Sequence, residues 1–183
     1  MIVFDLEWIA WEGAWQREWS GPGEYREIVQ IGAVRVADGF TEVDSLNLLV
    51  RPRLNPILSD YFIALTGIPQ SDLDRNGVDI AEALDLLEQF CGDEAKVCSN
   101  GPDHLVIEEN CQMFGLPVPL QGRWCNVNGK LCALTGRDRI VSSDLNAVLD
   151  LGHDDARAHD ALEDARAIAR ALAFAERQGQ NRK

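Results

Sequence analysis

The stretch Met1-Ile-Val-Phe-Asp-Leu-Glu7 reads as a buried apolar strand into which two acids have been set. Side chains at i and i+2 of a strand share one face, so Asp5 and Glu7 aim two carboxylates at the same point. Burying like charges side by side is costly. A hard divalent metal with oxygen ligands is the usual reason to do it, the plain alternative being a solvated edge strand. The fold and the function both turn on whether the rest of the chain supplies matching parts.

Working outward, Glu27–Val36 (EIVQIGAVRV) reads as a second strand and Val43–Val50 as a third, with a turn at Asp38-Gly39 between them. Connections this short imply antiparallel neighbours. A helical region around Asn55–Leu65 is broken by Thr66-Gly67-Ile68-Pro69. Asp79–Phe90 has the i, i+3, i+4 spacing of an amphipathic helix through Ile80, Leu84 and Leu87. Short strands are expected at Ala95–Ser99 and Arg123–Asn126, and helices at His104–Phe114, Gly129–Leu134 and Ser143–Leu149. The clearest helix runs from Asp160 to Arg177, with Leu162, Ala165, Ile168, Ala169 and Leu172 in one stripe. Three early strands followed by alternating strand and helix predict an α/β fold on a mixed five-stranded sheet, its first three strands antiparallel.

With 183 residues, 46% of them hydrophobic, the chain reads as one domain over residues 1–178, with 179–183 a flexible polar tail. Apolar runs fall short of a membrane span and the N-terminus reads directly as a strand, so no membrane is expected and a cytoplasmic location is. Cys91, Cys98, Cys111, Cys125 and Cys132 never stand in C-x-x-C spacing and read as free thiols rather than a zinc site. A net charge of −13 argues against a protein that grips long duplexes through a basic face. It leaves room for a short or single-stranded end held through metal ions and a few local contacts.

Two more places carry candidate chemistry. Asp103 follows the turn Asn100-Gly101-Pro102 where a strand leaves the sheet, at once a helix N-cap position and the place where sites in open α/β sheets gather. His159 and Asp164 are five residues apart, about 140° around a helix. They converge only if His159 lies in the loop or first turn. Asp160 with Glu163 offers a capping-box pattern, which leaves Asp164 unexplained beside an alanine-lined stripe.

Taken together, Phe-Asp-Leu-Glu at Phe4–Glu7, Glu-Ile-Val-Gln-Ile-Gly-Ala-Val at Glu27–Val34, Leu-Thr-Gly-Ile at Leu65–Ile68, Asp103, and His-Asp-Ala-Leu-Glu-Asp-Ala at His159–Ala165 resemble the DEDDh family of 3′-to-5′ exonucleases. The resemblance covers nearly the whole chain and implies a ribonuclease H-like fold. It implies that Asp5, Glu7, Asp103 and Asp164 hold two Mg²⁺ or Mn²⁺ ions, with His159 as general base and Glu7 also at the chemistry. It implies a substrate contact at the Trp8 backbone and a wedge at Leu65, next to Thr66. The Asn100–Asp103 segment lacks the His-Asn-x-x-Phe-Asp look of proofreading enzymes and is similar to the branch that includes histone-mRNA 3′ exonucleases. The expected substrate is therefore a single-stranded 3′ end, RNA rather than DNA, cut to nucleoside 5′-monophosphates. A DNA exonuclease and a non-catalytic partner-binding module are the alternatives.

Trp8, Trp11, Trp15 and Trp19 are spaced three, four and four residues apart. That spacing would align them on one side of a helix, packed on the sheet or offered to unpaired bases as a stacking platform. Packing is the favoured reading, with Trp8 the exception.

Overall fold

The computed structural model describes residues 1–93, 96–152 and 158–180. Five strands form one mixed sheet: β1 (Ile2–Trp8), β2 (Ile28–Val36), β3 (Glu42–Leu49), β4 (Val97–Ser99) and β5 (Trp124–Asn126), in the order β3-β2-β1-β4-β5. The first three are antiparallel, while β4 joins β1 and β5 joins β4 in parallel. The strands fall where the sequence pattern puts them, Ala95 of the expected fourth strand lying outside the described residues.

The helices are α1 (Asp60–Thr66), α2 (Gln70–Asn76), α3 (Ile80–Cys91), α4 (Asp103–Phe114), α5 (Asn128–Thr135), α6 (Leu145–Val148) and α7 (Ala161–Gln180). Strand alternation distributes the core to two faces. Ile2, Phe4 and Leu6 pack with α3 and α4 through Ile80, Leu84, Leu87, Val106 and Ile107. Val3 and Val34 face Leu131, Leu145 and the α7 stripe Ala165, Ile168 and Leu172. Asp5 and Glu7 continue the Val3 side of β1 and so point toward α7.

Three expectations are corrected. The helix placed at Asn55–Leu65 begins only at Asp60, where Ser59 caps it by accepting from the Phe62 N–H. Upstream, the Glu27 carboxylate takes the N–H groups of Arg53, Leu54 and Asn55 at 2.6–2.8 Å, and donors held in that way cannot enter a helix. A helix at Gln70–Asn76 carries no apolar stripe, burying Leu73 alone, which is why periodicity does not reveal it. The tryptophan insert is not helical: Glu12–Trp19 is a series of turns, with Glu18 and Trp19 at positive φ, and Trp15 is 53% exposed. Lastly, the helix expected over Asp160–Arg177 runs on as α7 through Gln180, while 181–183 lie outside the described residues.

The insert is nonetheless fastened. Trp19 Nε1 donates to the Ile9 carbonyl at 2.8 Å, Ser59 Oγ to the Ala10 carbonyl at 2.7 Å, and Arg17 pairs with Glu24. All five cysteines are free thiols, three of them buried. Among the described residues no helix is long and apolar enough to cross a membrane.

Candidate active site

Three elements of the sheet layer bring the acids together. Asp5 comes from the centre of β1 and Glu7 from near its end, Asp103 from the first residue of α4 after β4 leaves the sheet, and Asp164 from the first turn of α7. All four are buried, at 8%, 8%, 6% and 6% exposure. Ligand atoms of Glu7, His159 and Asp164 lie within 4.8 Å of one another. The condition for His159 and Asp164 to meet is satisfied: His159 sits in the turn before α7, at φ 60°, outside the regular helix. Asp160 caps that helix, its Oδ1 accepting from Leu162 and Glu163 at 3.0 and 3.3 Å.

The electrostatics of the site are those of an acid cluster without counter-charge. Among the described residues none of the four acids pairs with a lysine or arginine. Burial, followed by the charges of Asp103, Asp164 and Glu7, holds the Asp5 carboxyl well above its ordinary value. Burial with Asp164, Asp160 and Asp103 does the same to Glu7. Burial raises Asp103 to about 6 against its own N–H, and burial with Asp160 raises Asp164 to about 7. His159 moves the other way: burial lowers it, and Asp144 only partly opposes this. A pocket of carboxylates that repel one another and pair with no cation among the described residues suits the hard oxygen-ligand chemistry of divalent metals.

A consequence for stability follows from the sign of these shifts. Carboxylates raised in the folded chain bind protons there that the unfolded chain has released, so stability is lost as pH rises through about 6 to 7. In EDTA the protein is expected to melt at a higher temperature at pH 5.5 than at pH 8. Millimolar Mg²⁺ should restore much of the difference at pH 8, as followed by calorimetry. Equal melting temperatures at the two pH values would show that the acids are relieved some other way.

Sequence reading missed two residues of this neighbourhood. Ser142, 137 positions from Asp5 in the chain, donates from Oγ to Asp5 Oδ1 at 3.1 Å; no local pattern signals such a contact. Gln30, opposite Glu7 on β2, accepts from the Ala161 N–H at 3.0 Å and donates to Asn47 Oδ1 at 3.0 Å and Asp160 Oδ1 at 3.4 Å. A lone polar residue in the apolar run Ile28–Val34 (IVQIGAV) was the available signal. The expected substrate residues are more dispersed. Thr66 is buried on the wall of a cavity of about 380 Å³ shared with Gln30, Asn47 and Asp160, but its hydroxyl is engaged with the Phe62 carbonyl and the Ile68 N–H. Leu65 is half-buried at the end of α1, and Trp8 packs on the core and against Trp19 at 6.2 Å.

A mixed sheet of this order, with four buried acids converging beside a histidine, defines a ribonuclease H-like fold with an acidic candidate site. The sequence model of the RNase T family, described as an exonuclease, matches residues 2–172, and the chain belongs to that exonuclease family. Among solved structures it is similar to the nuclease domain of 3′hExo, a DEDDh family member bound to rAMP. That likeness has a TM-score of 0.81 at 24% identity over 97% of this chain and 92% of that one. Cell-death related nuclease 4 superposes with a TM-score of 0.76 at 19% identity, covering 97% and 64% of the two chains. The zinc-bound E. coli ExoI–ssDNA complex gives 0.72 at 13% identity, covering 98% and 41%. Comparison with curated protein sequences gives no match.

Proposed function

We propose that this chain is a divalent-metal-dependent 3′-to-5′ exonuclease that removes nucleoside 5′-monophosphates from single-stranded RNA ends. The observation that carries the proposal is the set of four carboxylates, each less than a tenth exposed, with Glu7 and Asp164 beside His159 and no basic partner among the described residues. Asp5, Glu7, Asp103 and Asp164 would hold two Mg²⁺ or Mn²⁺ ions. Bound there, such ions would acidify a water and offset the charge that builds on the phosphate.

The chain's own groups supply the remainder. His159, whose pKa burial lowers, is available to accept the proton of the attacking water, and its place in a turn rather than a helix leaves it room to reorient. Ser142 fixes the Asp5 carboxylate, and Gln30 fixes the turn that carries His159. The cavity beside Thr66, Asn47 and Asp160 offers space for the nucleotides behind the terminal one. RNA is preferred on the likeness to 3′hExo, whose structure holds rAMP, and on the Asn100–Asp103 segment; the likeness to ExoI, which holds ssDNA, makes the deoxyribose comparison obligatory.

The test is mononucleotide release from 5′-labelled ribose and deoxyribose oligomers, with Mg²⁺ and with EDTA. Stepwise release from the ribose oligomer in Mg²⁺ alone is expected, and His159→Ala should leave a small remnant of it, on the order of 1%. Full activity in EDTA, or cleavage of 3′-blocked oligomers, would overturn the proposal.

A further inference from the structure

We propose that Trp15 and Arg139 form a binding site for an unpaired nucleotide of the substrate strand, upstream of the 3′ end seated among the carboxylates. The inference rests on the exonuclease reading above and gives the tryptophan insert a role in it. Three tryptophan rings form a ladder that starts at Trp8, on the face of β1 opposite the acids. Trp8 follows Glu7 directly, lies 6.2 Å from Trp19, and Trp19 meets Trp15 edge-on at 5.4 Å. At the outer end the Arg139 guanidinium stands over the Trp15 ring at 5.0 Å. Arg139 in turn is three residues from Ser142, which bonds Asp5. The outer end of this ladder is tied to the acid cluster through Arg139 and the nearby Ser142, which places Trp15 and Arg139 on the side of the site where Ser142 meets Asp5.

The chemistry of that end suits a nucleotide. Trp15 is the tryptophan that the turns leave mostly in solvent, and Arg139 is exposed with no ion pair among the described residues. In a chain of net charge −13, this guanidinium rests on an indole rather than on a carboxylate. Together they supply a π-face for a base and a cation for its phosphate. The fastening of the insert by Trp19 to Ile9, Ser59 to Ala10 and Arg17 to Glu24 holds the ring in place before any strand arrives.

The experiment compares Trp15→Ala and Trp15→Phe with the wild type on the dinucleotide ApA and the single-stranded octamer A8, in Mg²⁺. The alanine variant is expected to raise KM for A8 about tenfold with kcat kept, and to leave KM for ApA unchanged, the loss being that of one base–aromatic stack. The phenylalanine variant should return KM for A8 to within about twofold. Equal losses on ApA and A8, or no loss on either, would overturn the site. A second readout separates the two readings: A8 added in EDTA should quench tryptophan fluorescence, less so in Trp15→Phe. Quenching without turnover would support the site and sink the exonuclease proposal. Turnover without any Trp15-dependent quenching or length dependence would do the reverse.

Discussion

Asp164→Asn is expected to lower mononucleotide release on the order of 10³-fold or more while raising the melting temperature of the metal-free protein at pH 8. The two effects share one cause. Asp164 is 6% exposed and its carboxyl is raised to about 7 from 3.8 by burial and then by Asp160. Above that pH the folded chain holds an ionised group that it would rather keep protonated, a burden on the order of 4 kcal/mol at roughly 1.4 kcal/mol per pH unit. Asparagine keeps the shape and removes the charge. At about 2–4 °C per kcal/mol for a chain of this size, a rise of roughly 5 °C or more should be visible in EDTA. With Mg²⁺ present the order should reverse, since the wild type alone would keep its full set of acids for the ions. Activity falls because a neutral amide weakens the hold on the metals and removes an acceptor next to His159. An Asp164→Asn protein that is both less stable in EDTA and still active would remove Asp164 from the site. The opposed signs matter, because a mutation that merely damages the fold lowers both quantities.

The acid cluster was legible because its members sit at positions where local geometry leaves few choices. Two acids at i and i+2 in a buried strand must share a face, and an acid after Asn-Gly-Pro must stand at the end of β4. His159 and Asp164 could meet only from a turn, and the turn is there, with His159 at φ 60°. What stayed hidden depends on contacts across the chain. Ser142 reaches Asp5 over 137 positions, and the Glu27 carboxylate unwinds the expected start of α1 by taking three backbone donors from 53–55. The tryptophan spacing misled for a related reason. A 3-4-4 pattern is helical only if the backbone can follow it, and Gly13 at φ 72° with Glu18 and Trp19 at positive φ turns the chain instead. Periodicity reports which side chains would align on a helix, whereas the local bonds of the insert decide whether a helix forms.

Gly32→Ala should prove as damaging as loss of an acid, although the residue touches no part of the chemistry. Gly32 pairs with Asp5 across β1 and β2, and the first turn of α7 rests directly on it. A Cβ there would stand 2.1 Å from the Leu162 nitrogen, 2.2 Å from the Ala161 carbonyl carbon and 2.4 Å from its oxygen. These are backbone atoms and cannot swing aside. The same turn is held by Gln30 and carries Asp160, with His159 before it and Asp164 after it. To admit the methyl group α7 must lift from β2, and that movement carries Asp164 and His159 away from Glu7. Overpacking of this kind costs about 3 kcal/mol or more, a fall of roughly 6–12 °C in melting temperature. Below the new melting point, activity should remain down on the order of a hundredfold, since a displacement of about 1 Å in a positioning element is worth that much. Gly129→Ala supplies the comparison: its Cβ would meet nothing within 4 Å, and both stability and activity should stay near wild type. A folded Gly32→Ala enzyme with normal turnover would mean that the close seat of α7 on β2 is not what sets the distance between the β1 acids and Asp164.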